Sequence, residues 1–228
     1  MGLGSVDWLA FGEIVWINAL LSGDNAVLIA MACRALPARQ RRMGMILGAG
    51  VAIALRILFT LVIVALLGVP YLKVVGALAL LYIAVDLLAP GDEAEGEVKS
   101  SESLLRAVGT IAVADVVMSL DNVIAIAGVA GDHFGLLVAG LVISVPMIVA
   151  GSAVILAVMD RFPLIVWAGA ALLGFVAGEM LISDVALADR LGAAVVHDWE
   201  TTTAVTLAAL VVAAGWMMRR LKRRDAPS

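Results

Sequence analysis

Two short phrases put chemistry where apolar side chains are expected. SGDNAVLIA carries Asp24 and Asn25 into one long apolar run, and SLDNVIAIA carries Asp121 and Asn122 into another. A carboxylate or an amide in hydrocarbon has to be paired, neutralised or placed on a polar path. The same two runs hold Glu13 and Asp115, two other runs hold Asp86 and Glu179, and Asp184 lies close by. Arg56 is the one cation inside an apolar run. Carboxylates in such excess need protons or metal ions to offset their charge. Carboxylate, amide and carbonyl oxygens are hard ligands of the kind taken by Mg²⁺, Ca²⁺ and Mn²⁺. His133 and His197 fall in expected outer loops and Cys33 is a lone cysteine. A zinc or copper centre and an internal disulfide are therefore not expected. Met118 and Met180 adjoin the acidic residues and could add a soft contact favouring Mn²⁺ over Ca²⁺, or simply fill gaps.

Spacing says what must position these groups. Asn18 and Asn25 are two helical turns apart and share a face, as do Asp115 and Asn122. Asp24 and Asp121 sit about 100° round from the neighbouring Asn, so an unbroken helix does not aim both groups at one centre. Ser22-Gly23-Asp24-Asn25 is a poor helix run. Unwinding there would free carbonyls as further ligands, as transporters allow where backbone lines a cavity. Ser119-Leu120-Asp121-Asn122 lacks the glycine. Plainer readings stand beside these. The Asp and Asn pairs could be structural polars that clasp helices together. Asp86 precedes Pro90 closely and could be a solvated end residue, and Glu13 could lie in an outer vestibule. Arg56 is expected to pair with a core carboxylate.

The chain is 63% hydrophobic and 15% charged, with mean hydropathy +1.09. A soluble domain carries about a quarter charged residues, so this composition reads as an all-α polytopic membrane protein. Seven apolar spans emerge, at about 8–33, 44–68, 73–89, 104–130, 135–159, 163–187 and 202–218. The first is read as a retained span, because no basic n-region or cleavage site precedes it. The only long hydrophilic loop is 91–103, rich in Gly, Glu and Ser. Seven spans with a cytoplasmic first loop place twelve of the 15 Lys and Arg inside and only Lys73 and Arg190 outside. That imbalance sets the N-terminus outside and the C-terminus inside.

The two phrases also align without gaps. Asn18 meets Asp115, Ser22 meets Ser119, Asp24 meets Asp121 and Asn25 meets Asn122. The third and sixth spans match as well: Gly76 meets Gly169, Tyr82 meets Phe175 and Asp86 meets Glu179. The unit is three spans, so its second copy is inverted in the membrane. Inverted repeats are a mark of secondary transporters, whose sites lie near the midplane between the copies. The expected layout is a first three-helix repeat over 1–90, a cytoplasmic acidic loop over 91–103 and the inverted repeat over 104–187. An outer loop, a seventh helix and a basic cytoplasmic tail follow over 188–228.

With LLSGDNAVLIA and SLDNVIAIAG each in an apolar span of a seven-span chain, the sequence resembles the TerC family of integral membrane proteins. That family lies within the wider LysE-type exporter superfamily, and the short length is closest to its YjbE-type branch. The resemblance covers essentially the whole chain. It implies metal-ion efflux, above all Mn²⁺ export, with a site at Asp24, Asn25, Asp115, Asp121 and Asn122. Adding Glu13, Asp86 and Glu179 rests on the residues alone. The expected activity is secondary export of a divalent cation, Mn²⁺ first and Ca²⁺ second, from the bacterial cytoplasm across the inner membrane in exchange for protons. No G-x-x-x-x-G-K-[ST] sequence supplies an ATPase, and no prosthetic group is expected. The alternatives are a non-transporting scaffold in tellurite or metal stress or in metallation of secreted proteins, and a monovalent cation/proton exchanger. An enzyme is not expected: there is no H-E-x-x-H and no nucleophile–base pair in the spans. Membrane lipid and the metal ion are the expected partners, nucleic acid is not, and the chain is compatible with a homo-oligomer.

Overall fold

A computed structural model describes residues 23–67, 69–88, 100–130 and 134–225. The described chain is helical: α1 Gly23–Arg34, α2 Ala38–Leu67, α3 Leu72–Leu88, α4 Ser100–Ala130, α5 Phe134–Arg161, α6 Leu164–Ile182, α7 Val185–Leu191 and α8 Ala193–Asp225. Helices are what apolar runs of this length must become in lipid, where each backbone N–H and C=O needs a partner inside its own segment. Five of them are long and apolar enough to span a membrane, through Ala38–Phe59, Ser103–Leu120, Val138–Arg161, Leu164–Ile182 and Ala194–Leu221. The expected first and third spans fall on α1 and α3. The described part of α1 has 12 residues and α3 has 17, the latter at the short limit for a span.

Two boundaries differ from the sequence reading. The segment expected as an outer loop after 187 is helical: Gly192, at φ +84°, separates α7 from α8. α8 then runs 33 residues through His197, Asp198 and Glu200 into the basic tail. A helix of that length, about 50 Å, outreaches the hydrocarbon layer of about 30 Å, so its polar first turns extend beyond it. The basic loop after α1 is likewise short, because Arg39, Arg41 and Arg42 already lie on the first turns of α2.

One end of the bundle gathers the basic residues. Arg41 donates to the Arg34 and Leu36 carbonyls at 3.2 and 3.1 Å, closing the end of α1. It also pairs with Asp160 at the end of α5 at 2.7 Å. Arg106 on α4 pairs with Asp86 near the end of α3 at 3.1 Å. Arg219 donates to the Leu88 carbonyl at 3.0 Å and stacks over Trp167 near the start of α6, 4.8 Å from the ring centre. At the opposite end one carboxylate joins α6 to the α2–α3 turn. Asp184 accepts from Ala186 N at 2.9 Å, capping α7, and from Tyr71 N and Lys73 N at 3.0 and 3.1 Å. Tyr71 has φ +64°, a left-handed conformation rare for a bulky residue, and Asp184 holds its N–H. α3 and α6 are therefore antiparallel, clasped at both ends.

The helices pack in two groups. α6 lies closest against α8, and α3 packs on both. A Cβ on Gly174 would lie 2.9 Å from the Cα of Ala208, and one on Gly178 would overlap the Cα of Ala204. Glycines four apart thus face alanines four apart, and the backbones touch. In the other group α2 packs along α4, and α1 along α5. α5 carries Pro146 within its length, which removes one backbone donor there. Most of the core is apolar, with Leu28, Leu80, Ile111, Leu141 and Leu173 fully enclosed. The outer face is apolar too: Val75, Leu105 and Leu164 are exposed, as a chain solvated by lipid requires.

Candidate functional site

Polar side chains meet where α1, α2, α4 and α5 converge. Arg56 on α2 and Asp115 on α4 are each 2% exposed. Arg56 Nη2 donates to Asp115 Oδ1 at 2.6 Å, and Arg56 Nε donates to Ser119 Oγ at 3.0 Å. Ser119 in turn donates to Asp115 Oδ2 at 3.2 Å. The three side chains close a ring in which both carboxylate oxygens and the hydroxyl are engaged. Ser119 lies one helical turn from Asp115, on the same face of α4; that spacing was visible in the sequence, but the role of Ser119 was not drawn from it. Arg56 pairs with a core carboxylate, as expected.

Asn25 faces the ring across a small cavity. It is 3% exposed, and neither amide atom has a hydrogen-bond partner among the described residues. Such an amide is costly to bury. Other buried polar groups manage differently: Ser144 and Ser152 donate back to the Leu141 and Ile148 carbonyls at 2.6 and 2.7 Å. Asn25, Arg56 and Asp115 line the cavity with Leu28, Ile53, Ile111 and Ile148. The space open to the centre of a water molecule is about 10 Å³, room for a single water. Asp24 lies in the first turn of α1, half-buried. Its Oδ1 accepts from Asn25 N at 2.8 Å.

Gly23, Asp24 and Asn25 are helical, so the expected unwinding is not seen across them; Ser22 lies outside the described residues. The second motif sits on a continuous α4. Asp121 and Asn122 are on that helix, and their side chains lie outside the description, as Glu13 and Asn18 do altogether. Glu179 is half-buried on α6. Asp86 stands apart from the cavity, half-buried at the basic end with Arg106. Met180 packs beside Gly76, and Met118 belongs to the apolar core. No three His, Cys, Asp or Glu side chains converge on one point among the described residues. Asp184, placed near a span by the sequence, is the clasp described above, bonded to backbone N–H groups rather than facing the cavity.

An apolar exterior, five helices among the described residues long and apolar enough to span a membrane, and a buried polar centre define an integral membrane protein. The chain belongs to the TerC family: the match to the integral membrane protein TerC family covers residues 3–225. It is 47% identical over 171 residues to the uncharacterized membrane protein YjbE of Bacillus subtilis, covering 75% of this chain and 78% of that one. It is 27% identical over 185 residues to the uncharacterized membrane protein YceF of the same organism, covering 77% and 71%. The UPF0053 inner membrane protein YgdQ of Escherichia coli is 26% identical over 173 residues, covering 68% and 73%. No solved structure matches.

Proposed function

We propose that this protein is a secondary transporter, not an enzyme, which exports a divalent cation, Mn²⁺ first, across the bacterial inner membrane in exchange for protons. The observation that carries the reading is the unpaired, buried Asn25 amide beside Asp24 and the Arg56–Asp115 ring. A membrane protein gains nothing from burying an amide oxygen with no donor unless something else completes it. A hard cation does so, with the Asp24 carboxylate as the charged partner and Asp121 and Asn122 as their counterparts from the repeat. Glu179 is a further carboxylate on the way, while Asp86 with Arg106 belongs to the cytoplasmic rim. The carboxylates carry metal in one direction and protons in the other.

The packing pattern supports seven spans built as two inverted triplets. Exchanging α1, α2 and α3 for α4, α5 and α6 turns each principal contact into another: α2 on α4 becomes α5 on α1, α3 on α4 becomes α6 on α1, and α3 on α6 maps to itself. Antiparallel α3 and α6 suit that inversion. The gathering of arginines at one end supports a cytoplasmic C-terminus.

The test is Mn²⁺ entry into inside-out proteoliposomes, with Ca²⁺ and Mg²⁺ compared and lumenal pH followed. Wild-type protein is expected to take up Mn²⁺ with proton exit, and Asp24→Asn and Asp121→Asn to fall to background while remaining folded. If no ion moves under any gradient, the motifs are static clasps and the scaffold reading replaces this one.

A further inference from the structure

We propose that the groove between α6 and α8 binds one anionic phospholipid, whose acyl chain lies along the groove and whose headgroup phosphate is held at Arg220. The inference rests on the membrane-spanning fold and is independent of the ion that the protein moves. The groove opens about 630 Å³ to the centre of a water molecule, against about 10 Å³ in the cavity beside Asn25. Every side chain that lines it is Leu, Val, Ala or Trp. Small residues explain the hollow. Ala171 on α6 and Ala209 and Ala213 on α8 line it, and each stops at Cβ, so the seam between the helices is left unfilled. Among the described residues α8 is the least enclosed of the five candidate spans, so the groove faces lipid. Its length fits one leaflet. The lining residues of α8 run from Val205 to Trp216, about 16 Å along the helix, or half of a hydrocarbon layer of about 30 Å.

The mouth of the groove supplies the charge. Trp167 and Trp216 line it at the basic end, the depth at which indoles sit in a membrane interface. Each indole carries a guanidinium: Arg219 is 4.8 Å from the centre of the Trp167 ring, and Arg220 is 3.8 Å from that of Trp216. Arg219 also donates to the Leu88 carbonyl, so its contribution to a headgroup is mainly its charge. Arg220 is exposed and lies one turn beyond Trp216, on the same stripe of α8. A guanidinium seated on an indole still offers its N–H edge to a phosphate, two donors at a time. Two carboxylates of this rim are engaged elsewhere, Asp160 with Arg41 and Asp86 with Arg106. Basic pockets between spanning helices, open beside a leaflet, suit anionic headgroups. A second copy of the chain is a poorer occupant. In a two-fold dimer about the membrane normal, the basic ends of both α8 helices would meet at the same depth and repel.

The experiment is native mass spectrometry of the full chain in detergent, titrated with phosphatidylglycerol or with phosphatidylcholine, whose headgroup has no net charge. It compares wild type with Arg220→Gln, Ala209→Phe and Arg39→Gln. Arg39 is an exposed arginine at the start of α2, in the other helix group. Wild type is expected to retain one phosphatidylglycerol in preference to phosphatidylcholine. Arg220→Gln should lose about fivefold in affinity for phosphatidylglycerol and nothing for phosphatidylcholine. Ala209→Phe fills the groove and should lose both lipids, while Arg39→Gln should bind as wild type does. The melting temperature shows whether each variant is folded. If Ala209→Phe is not, the contrast of Arg220→Gln with Arg39→Gln decides. Equal retention of both lipids by wild type overturns the proposal. So does an equal loss in Arg39→Gln and Arg220→Gln, which would mean a diffuse field rather than a site. If Ala209→Phe splits a dimer and leaves lipid retention unchanged, the groove is an interface between copies and the proposal is likewise overturned.

Discussion

The two helix groups use opposite means to hold together. In α3, α6 and α8 the closest contact is between backbones, α6 on α8, made possible by Gly174 and Gly178 against Ala208 and Ala204, and the clasps made by Asp184 and Arg219 sit at the rims. In α1, α2, α4 and α5 the centre holds a buried ion pair, a hydroxyl, a carboxylate and an unpaired amide. Lipid gives no hydrophobic drive for helices to associate, so close packing and hydrogen bonds must do it. The first group has taken the packing route to a rigid contact. The second keeps polar groups that are weak as glue and that the transport reading makes ligands.

Substitutions can break this contrast from either side. The largest effect is expected at Gly178→Leu, where even a first side-chain carbon overlaps the Ala204 backbone. The α6–α8 contact cannot form, and the variant should aggregate on extraction, as size-exclusion chromatography would show. A monodisperse protein with an unchanged melting temperature would refute the backbone contact. Next is Asp24→Asn, isosteric and in the other group: Mn²⁺ transport is expected to fall to background with the melting temperature shifted by only a few degrees. A large loss of stability would make Asp24 a structural residue. Asp184→Ala should be intermediate. It strands the N–H groups of Tyr71, Lys73 and Ala186, at a cost of about 2–4 kcal/mol, measured as unfolding free energy. Arg41→Ala is expected to cost least. Its partner Asp160 is 45% exposed, and such pairs are worth under about 1 kcal/mol. A loss well beyond that would show that the carbonyl bonds to Arg34 and Leu36 dominate.

Much of this was legible in the chain. Apolar runs gave the helices, and the isolated Arg56 gave its ion pair, because a lone cation among carboxylates has few other fates. Asn25 was legible as a candidate, though not as an unpaired amide. Other features were not. The start of α8 was hidden because H-D-W-E-T-T-T is too polar to read as a span, yet it is helical beyond the apolar stretch. Asp184 was grouped with the span carboxylates, since sequence does not tell a carboxylate that accepts from distant N–H groups from one that faces a cavity. Gly174 and Gly178 carry a known small-residue spacing, but what they touch depends on which helix lies opposite. Asp86 matched Glu179 in the aligned halves, while the structure puts Asp86 with Arg106 at the basic end.

The cavity beside Asn25 also has a consequence for traffic. With about 10 Å³ open to a water centre, it cannot take in an ion that keeps its hydration shell. On the transport reading, a cation that completes the Asn25 amide has to arrive stripped. Shedding water is hardest for Mg²⁺, the small ion that gives it up most reluctantly. On that reading a pocket this narrow discriminates between ions by the cost of dehydration, before any ligand has chosen between them.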